Sequence, residues 1–128
     1  MPTWSEYRQI ARDRGDLAQE FYVIESTPVA APEARMEILP RHLAYQKTIE
    51  AEGILFLAGP LSDEAGEQMS GGGLMIYRSG SLEEARAIAD ADPMHQEGGR
   101  TYTVRKWLVN EGSLTLKVGF STKSVAMG

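Results

Sequence analysis

Two apolar runs constrain the fold of this chain more than any other feature of the sequence. They are ILFLAGP at residues 54–60 and GLMIYR at residues 73–78, and neither alternates between apolar and polar residues. Continuous runs of this length are typical of strands that are buried on both faces. The segment between them, LSDEAGEQMSGG, is longer than a tight hairpin turn. We therefore predict two neighbouring strands in a sheet whose two faces are both covered.

The rest of the chain supplies the partners of these strands. Residues 20–27 (EFYVIEST) and 101–109 (TYTVRKWLV) have the aromatic and β-branched composition of strands. Residues 33–52 have a helical period, and residues 81–91 open with Ser and carry Glu three positions on, which is typical of a capped helix start. The resulting order, βαββαβ, predicts an α+β ferredoxin-like plait, with an antiparallel sheet and both helices on one face.

The first long helix carries the histidine that is most interesting chemically. Its expected buried arc consists of Met36, Leu39, Leu43, Gln46 and Ile49. His42 lies inside this arc. Pro40 removes one helical hydrogen bond, so we expect the helix to be kinked or broken there, with His42 in the first turn of the longer piece.

The chain is expected to form a single domain with an extension at each end. An N-terminal helix is predicted within residues 1–19, the plait core spans residues 20–109, and residues 110–128 form a C-terminal hairpin strand and tail. The second sheet face needs a cover, and the candidates are the N-terminal helix, the C-terminal strand or a second copy of the chain. Two-fold pairing is common among small oligomers. We therefore predict a homodimer formed through the open sheet face.

Composition argues against several classes of partner. A chain of 128 residues with 42% hydrophobic and 24% charged content fits one soluble domain. Its net charge of -5 and its lack of a basic stripe argue against nucleic-acid binding. No apolar run reaches the length of a membrane span, the first residues lack the apolar stretch of a signal peptide, and cysteine is absent. We therefore expect a cytoplasmic protein with no membrane partner.

The strongest chemical signal is a histidine and an aspartate that the plait would bring together. His42 carries an imidazole, which can accept or donate a proton near neutral pH. Asp92 precedes Pro93 at the end of the second helix, in the link that runs along the helical face of the sheet. A carboxylate in that link would fix the tautomer and orientation of the imidazole. The pair is therefore a candidate for acid–base chemistry.

Two other interpretations of these residues stay open. A lone histidine on an apolar helix face is usually a core residue with one hydrogen bond, and Asp before Pro usually ends a helix. His95 adds a third group, so His42, Asp92 and His95 form a possible set of metal ligands. The glycines at 71–73 lack the context of a phosphate-binding loop. Because no motif requires a cofactor, we predict none, and no resident metal.

Three stretches together resemble the YCII-related family of small bacterial proteins. They are LPRHLAYQKTIEAEGILFLAGPL, SLEEARAIADADP and TYTVRKWLV, and the resemblance covers roughly residues 21–109. It implies a ferredoxin-like plait that dimerises through its sheet into an α+β barrel. It also implies that His42 and Asp92 are the active pair, beside a pocket bordered by Gly59 and Pro60. Both terminal extensions lie outside the resemblance.

The resemblance leads to two hypotheses about function. Some members of that family eliminate halide from chlorinated hydroxyquinol-type rings, while many others have no assigned reaction. The first hypothesis is a cofactor-independent lyase or isomerase in which His42, oriented by Asp92, moves a proton on a small cyclic or aromatic molecule. Gly59, Pro60 and Asp63 would form the wall of its substrate site. The alternative is a dimeric small-molecule-binding or protein-interaction module without chemistry.

Overall fold

The computed structural model describes residues 1–127 and contains two compact units. One unit is formed by residues 20–107, and the other by residues 1–19 together with the segment from Leu108 onward. The predicted C-terminal segment ends at Gly128, which lies outside the described residues. In chain order the elements are α1 (Trp4–Asp13), β1 (Gln19–Pro28), α2 (Pro32–Ala51), β2 (Leu55–Ser62), β3 (Met69–Tyr77), α3 (Leu82–Asp90), α4 (Pro93–Gln96), β4 (Arg100–Val109), β5 (Leu116–Val118) and β6 (Val125–Met127).

The sheet has the strand order of the predicted plait. Its four strands are arranged β2-β3-β1-β4, and β3 runs antiparallel to both of its neighbours. Ile76 of β3 lies opposite Val23 of β1 on one side and Leu57 of β2 on the other. The two apolar runs are therefore neighbouring strands, and the predicted α+β plait is confirmed.

Both long helices cover the same face of the sheet. Tyr22 and Tyr77 point from β1 and β3 into a core that also receives Ile49 from α2 and two alanines from α3. The small side chains of Ala85 and Ala89 allow α3 to lie close against the strands. The full set of buried residues in this cluster is Tyr22, Ile24, Ile49, Met75, Tyr77, Ala85 and Ala89. This core fixes where the ends of α2 and α3 lie.

Of the predicted kink or break at Pro40, the break is wrong, and the kink stays a prediction. The α2 helix runs without interruption from Pro32 to Ala51 and includes Pro40. Proline removes one N–H donor, but the remaining hydrogen bonds of a helix of 20 residues and the packing of its buried side hold the helix together. His42 therefore lies in the middle of a continuous helix.

The buried face of α2 also differs from the expected arc. The side chains that point inward are those of Ile38, His42, Tyr45 and Ile49, which follow helical spacing. Met36, Leu39 and Leu43 are exposed, so their place in the expected core was wrong. The inward face follows from the contacts with the sheet and α4, which the helical period alone does not specify.

The side of the sheet opposite the helices is apolar and is here called the open face. Side chains alternate along a strand, so Val23, Leu74 and Ile76 project away from the core. Two adjoining hollows, of about 370 Å³ and about 290 Å³, lie on this face and share Leu74, Ile76 and Trp107. Leu57 and Trp107 are exposed there. The open face has the composition of a surface that requires a cover.

The terminal unit contains a capped helix and a small sheet. Thr3 and Glu6 form a reciprocal capping box at the start of α1, so the predicted N-terminal helix is present. Strands β5 and β6 pair antiparallel in a two-stranded sheet of their own. The expected hairpin between β4 and the following segment is absent among residues 1–127. The backbone carbonyl of Asn110 instead accepts a hydrogen bond from the N–H of Leu17.

A pair of truncations tests which face of α2 is buried. Replacing Ile49 with Ala should lower the free energy of unfolding by about 2–5 kcal/mol, because it leaves a cavity in the core. The matched Met36→Ala change should cost no more than about 0.5 kcal/mol, since that side chain is exposed. Chemical denaturation measures both, and equal losses would contradict the described orientation.

Candidate functional site

The site begins where α3 ends and the short helix α4 starts. Pro93 disfavours helical geometry at the residue before it, and Asp92 has extended backbone angles of φ -65° and ψ 124°. Its carboxylate accepts a hydrogen bond from the backbone N–H of Met94 at 2.9 Å, so Asp92 caps α4. The Asp92 side chain is fully buried. A buried carboxylate requires such partners, since its desolvation is costly.

The second partner of Asp92 is the imidazole of His42. The Nδ1 atom of His42 lies 2.8 Å from Oδ1 and 2.9 Å from Oδ2 of the carboxylate, although 50 residues separate the two in sequence. His42 side-chain exposure is 17%, so the ring is reachable from solvent while its carboxylate partner is not. The fold therefore forms a dyad with one buried member and one accessible member.

The contact with Asp92 determines the tautomer of His42. A carboxylate accepts hydrogen bonds, so Nδ1 carries the proton and Nε2 has a free lone pair when the ring is neutral. The atom facing Nε2 is Nε2 of Gln46, one helical turn along α2, at 3.5 Å. That distance is at the outer limit of a hydrogen bond. His42 therefore has the arrangement of a general base, with one nitrogen anchored and the other available.

Two tyrosines close to Asp92 do not compete for this role. Burial, and then the charge of Asp92, raises the pKa of both Tyr45 and Tyr77. The Tyr45 hydroxyl donates a hydrogen bond to the carbonyl of Ile88 at 2.6 Å. Because both phenols keep their protons at neutral pH, the proton-transfer candidate in this group is His42.

A second cluster surrounds His95, on the turn that Asp92 caps. Nδ1 of His95 donates to the carbonyl of Ala89 at 2.7 Å, and its Nε2 accepts from the Ser26 hydroxyl at 2.9 Å. Ser26 Oγ in turn accepts from Nε of Arg100 at 2.9 Å. Burial lowers the pKa of His95, the contact with Ala89 opposing this effect. His95 is therefore a neutral ring with both nitrogens occupied.

This geometry bears on the metal-ligand interpretation of His42, Asp92 and His95. Both ring nitrogens of His95 are already hydrogen-bonded, to Ala89 and Ser26, and the carboxylate of Asp92 is bound to His42. Within residues 1–127, no cluster of three or more His, Cys, Asp or Glu side chains is arranged to hold a metal ion. The described residues thus favour a hydrogen-bonded dyad over a ligand set.

The three residues expected to form the pocket wall lie apart from the dyad. Gly59 and Pro60 line the smaller hollow on the open face, and the lining of that hollow includes neither His42 nor Asp92. Asp63 accepts hydrogen bonds from the backbone N–H groups of its own loop, at residues 67 and 68. These bonds lower the pKa of its carboxyl group. Within a single chain, the fold therefore does not place Gly59, Pro60 or Asp63 beside His42.

Sequence reasoning missed the role of three polar residues. Gln46 lies beside His42, and Ser26 and Arg100 belong to the cluster around His95. Gln46 carried a usable signal, because it lies four positions after His42 and shares its helix face. Ser26 and Arg100 are 74 residues apart, and nothing in the local sequence indicates that they meet.

Comparison with known proteins assigns the chain to a family. Residues 20–108 match the sequence pattern that defines the YCII-related domain. The chain belongs to the YCII-related family. Among residues 1–127, no helix is long and apolar enough to cross a membrane. The match covers the sheet, both long helices and the His42–Asp92 dyad, and leaves α1, β5 and β6 outside the YCII-related domain.

Two relatives illustrate the extent of the similarity. The uncharacterized protein YjpA of Bacillus subtilis is 33% identical over 66 residues, which are 52% of this chain and 71% of that protein. Protein YciI of Escherichia coli O6:H1 is 40% identical over 65 residues, which are 48% of this chain and 66% of YciI, just under two thirds of its length. Neither name assigns a reaction.

A solved structure shares the fold. It is 5-chloro-2-hydroxyhydroquinone dehydrochlorinase of Burkholderia phenoliruptrix AC1100, in complex with 2,5-dihydroxybenzoquinone. The TM-score is 0.55 at 20% sequence identity, and the alignment covers 68% of this chain and 92% of that one. At this identity the likeness establishes the YCII-type fold, and it does not assign a reaction to this chain.

Acidification tests the description of His95. Because burial lowers its pKa in the folded chain, the unfolded chain binds the proton more readily, and stability is lost as pH falls below the ordinary value of 6.5. Melts between about pH 8 and about pH 5 should show a smaller loss for His95→Gln than for the unchanged chain. Identical pH profiles would contradict the buried neutral ring.

Proposed function

We propose that this chain is an enzyme that uses His42, oriented by Asp92, for general acid–base catalysis on a small cyclic or aromatic organic molecule. The observation that carries the proposal is the contact of His42 Nδ1 with both oxygens of a fully buried carboxylate. A buried carboxylate costs stability unless it is fully paired, and here its charge is directed at one accessible imidazole. The cysteine-free composition fits a reducing compartment, and we place the reaction in the cytoplasm.

The proposed step follows from the tautomer. Nε2 of His42 removes a proton from a substrate C–H or O–H group, and the broken bond's electron pair moves into the substrate. The imidazolium that forms is stabilised by the carboxylate of Asp92. In an isomerisation the same proton returns at another atom. In an elimination the electron pair forms a double bond, and the leaving group departs with its own bonding pair.

The substrate class rests on fold analogy. The dehydrochlorinase that shares this fold acts, by its name, on a chlorinated ring compound. Elimination or isomerisation on a small ring is therefore our first choice of reaction. The role of Gly59, Pro60 and Asp63 as a substrate wall remains a prediction.

Dimerisation through the open face is part of the proposal. Leu57 and Trp107 are exposed there, beside the hollows formed with Val23, Leu74 and Ile76. Apolar surfaces of this kind usually mark an interface. A second copy would cover the face with the same residues by two-fold symmetry.

The second candidate is a dimeric module that binds a small molecule or a protein without chemistry. It is favoured by the position of the hollows, which lie on the open face and away from the dyad. In that case His42 would stabilise the fold by pairing with Asp92. Replacement of His42 by Gln would then alter stability and leave ligand binding intact.

Two substitutions test the catalytic proposal. His42→Ala should lower kcat/KM by about 10²–10⁴, the usual contribution of a positioned acid or base. Asp92→Asn can keep the cap on Met94 N but loses the negative charge, so it should also lower turnover by at least about 10². Turnover of a panel of halogenated and hydroxylated ring compounds provides the assay.

The control is Lys47→Ala, an exposed change on the same helix that should leave turnover unchanged. Wild-type turnover by His42→Ala would rule out the mechanism. Loss of activity in His42→Ala with a folded chain and intact ligand binding supports catalysis over the binding module.

A charged substitution on the open face tests whether two chains dimerise through this face. Leu57→Glu should produce a monomer in sedimentation experiments, because burying an unpaired carboxylate is costly. Leu43→Glu adds the same charge at an exposed position of α2 and serves as the control. Dimers that persist unchanged in Leu57→Glu would place the interface elsewhere.

A further inference from the structure

Arg100 is a half-buried cation at the start of β4. Its Nη2 group donates to the carbonyls of Ser26, at 2.9 Å, and Gly71, at 2.5 Å, while Nε donates to Ser26 Oγ. Gly71 can present its carbonyl there because it adopts a φ of +91°, which a residue with a side chain rarely does. All three bonds go to neutral acceptors. The charge of the guanidinium is therefore not compensated by these contacts.

Arg35 brings a second guanidinium to the same corner. The N–H of Ala30 is bound to the carbonyl of Gly99, at 3.1 Å, and the carbonyl of Ala30 accepts from Nε of Arg35, at 3.0 Å. Gly99 directly precedes Arg100, so this backbone hydrogen bond joins the segment that holds Arg35 to the start of β4. Burial lowers the pKa of Arg100, and the positive charge of Arg35 lowers it further.

Neither arginine of this pair forms an ion pair with a carboxylate of the described residues. Among residues 1–127, no Asp or Glu oxygen lies within ion-pair distance of Arg35 or Arg100. Glu97, the acidic residue that follows α4, forms a two-pronged pair with Arg41. Asp92 interacts electrostatically with Arg100, but its carboxylate is bound to His42. With a neutral His42, the group of Arg35, Arg100 and Asp92 has one net positive charge.

We propose that Arg35 and Arg100 form a subsite for the carboxylate of a small organic anion. Nη1 of Arg100 and both Nη atoms of Arg35 have no hydrogen-bond partner within the described residues, so planar donor groups remain available. A guanidinium matches a carboxylate in shape and can bind it through two parallel hydrogen bonds. A single negative charge balances the cluster, whereas a phosphate dianion would exceed it.

The subsite lies on the same structural unit as the dyad and connects to it through side chains. Ser26 links Arg100 to His95, and His95 belongs to the turn that Asp92 caps. This inference rests on the proposed function, because it narrows the proposed ring substrate to a ring compound that carries a carboxylate. Binding at the subsite does not require turnover.

The experiment is a titration of the full ¹⁵N-labelled chain with sodium benzoate at low ionic strength, where screening of the charges is weak. Benzamide, which has the same shape and no charge, is the matched ligand control. Benzoate should shift the amide signals of Ala30 and Gly99 and the Nε–H signals of Arg35 and Arg100 in a saturable way. Benzamide should not.

The variant Arg35→Gln removes one guanidinium and should weaken benzoate binding by about tenfold or more, as expected for losing hydrogen bonds to a charged group. Arg100→Lys keeps the charge but loses the planar fork, so it should also weaken binding. Arg86→Gln, an exposed change on α3, removes the same charge elsewhere and should have no effect.

Equal binding of benzoate and benzamide, unchanged affinity in Arg35→Gln, or the absence of saturable benzoate binding would each overturn the subsite. His42→Ala separates this inference from the proposed reaction. If that variant binds benzoate normally and the wild-type chain turns over no ring compound of the panel, with or without a carboxylate, the catalytic proposal fails and the subsite stands.

Discussion

The structure around the dyad depends on one buried carboxylate. Asp92 ends the α3 region, caps α4 and holds His42, so a single side chain connects two helices and orients an imidazole. Its burial would destabilise the fold if either partner were missing. The positions of α2 and α3 on one sheet face make the contact possible, and their shared core with Tyr22 and Tyr77 keeps it in place.

Much of this arrangement was predictable from sequence, because it follows from chain order. Pro93 marks the end of a helix, and in a βαββαβ plait the link after the second helix runs along the face that the first helix covers. That argument led to the expectation that His42 meets Asp92, and the two side chains are in contact in the structure. Topology therefore brought together residues that local patterns leave unrelated.

Other features required tertiary contacts that no local pattern contains. Met36, Leu39 and Leu43 have the spacing of a buried stripe but are exposed, because the sheet and α4 select a different side of α2. The hydrogen bond between Ser26 and His95 joins residues 69 positions apart. Such a contact depends on strand order and on the register of β1, neither of which is encoded by the residues that make it.

The small sheet formed by β5 and β6 has a consequence for handling the protein. Its apolar side chains are exposed throughout, and Phe120 beside it is 94% exposed. At neutral pH the net charge of -5 keeps molecules apart by mutual repulsion. When carboxylates take up protons in acidic buffer, that repulsion weakens, while the apolar side chains of β5 and β6 stay exposed. Aggregation in mildly acidic solution would then start from β5 and β6, without prior unfolding of the chain.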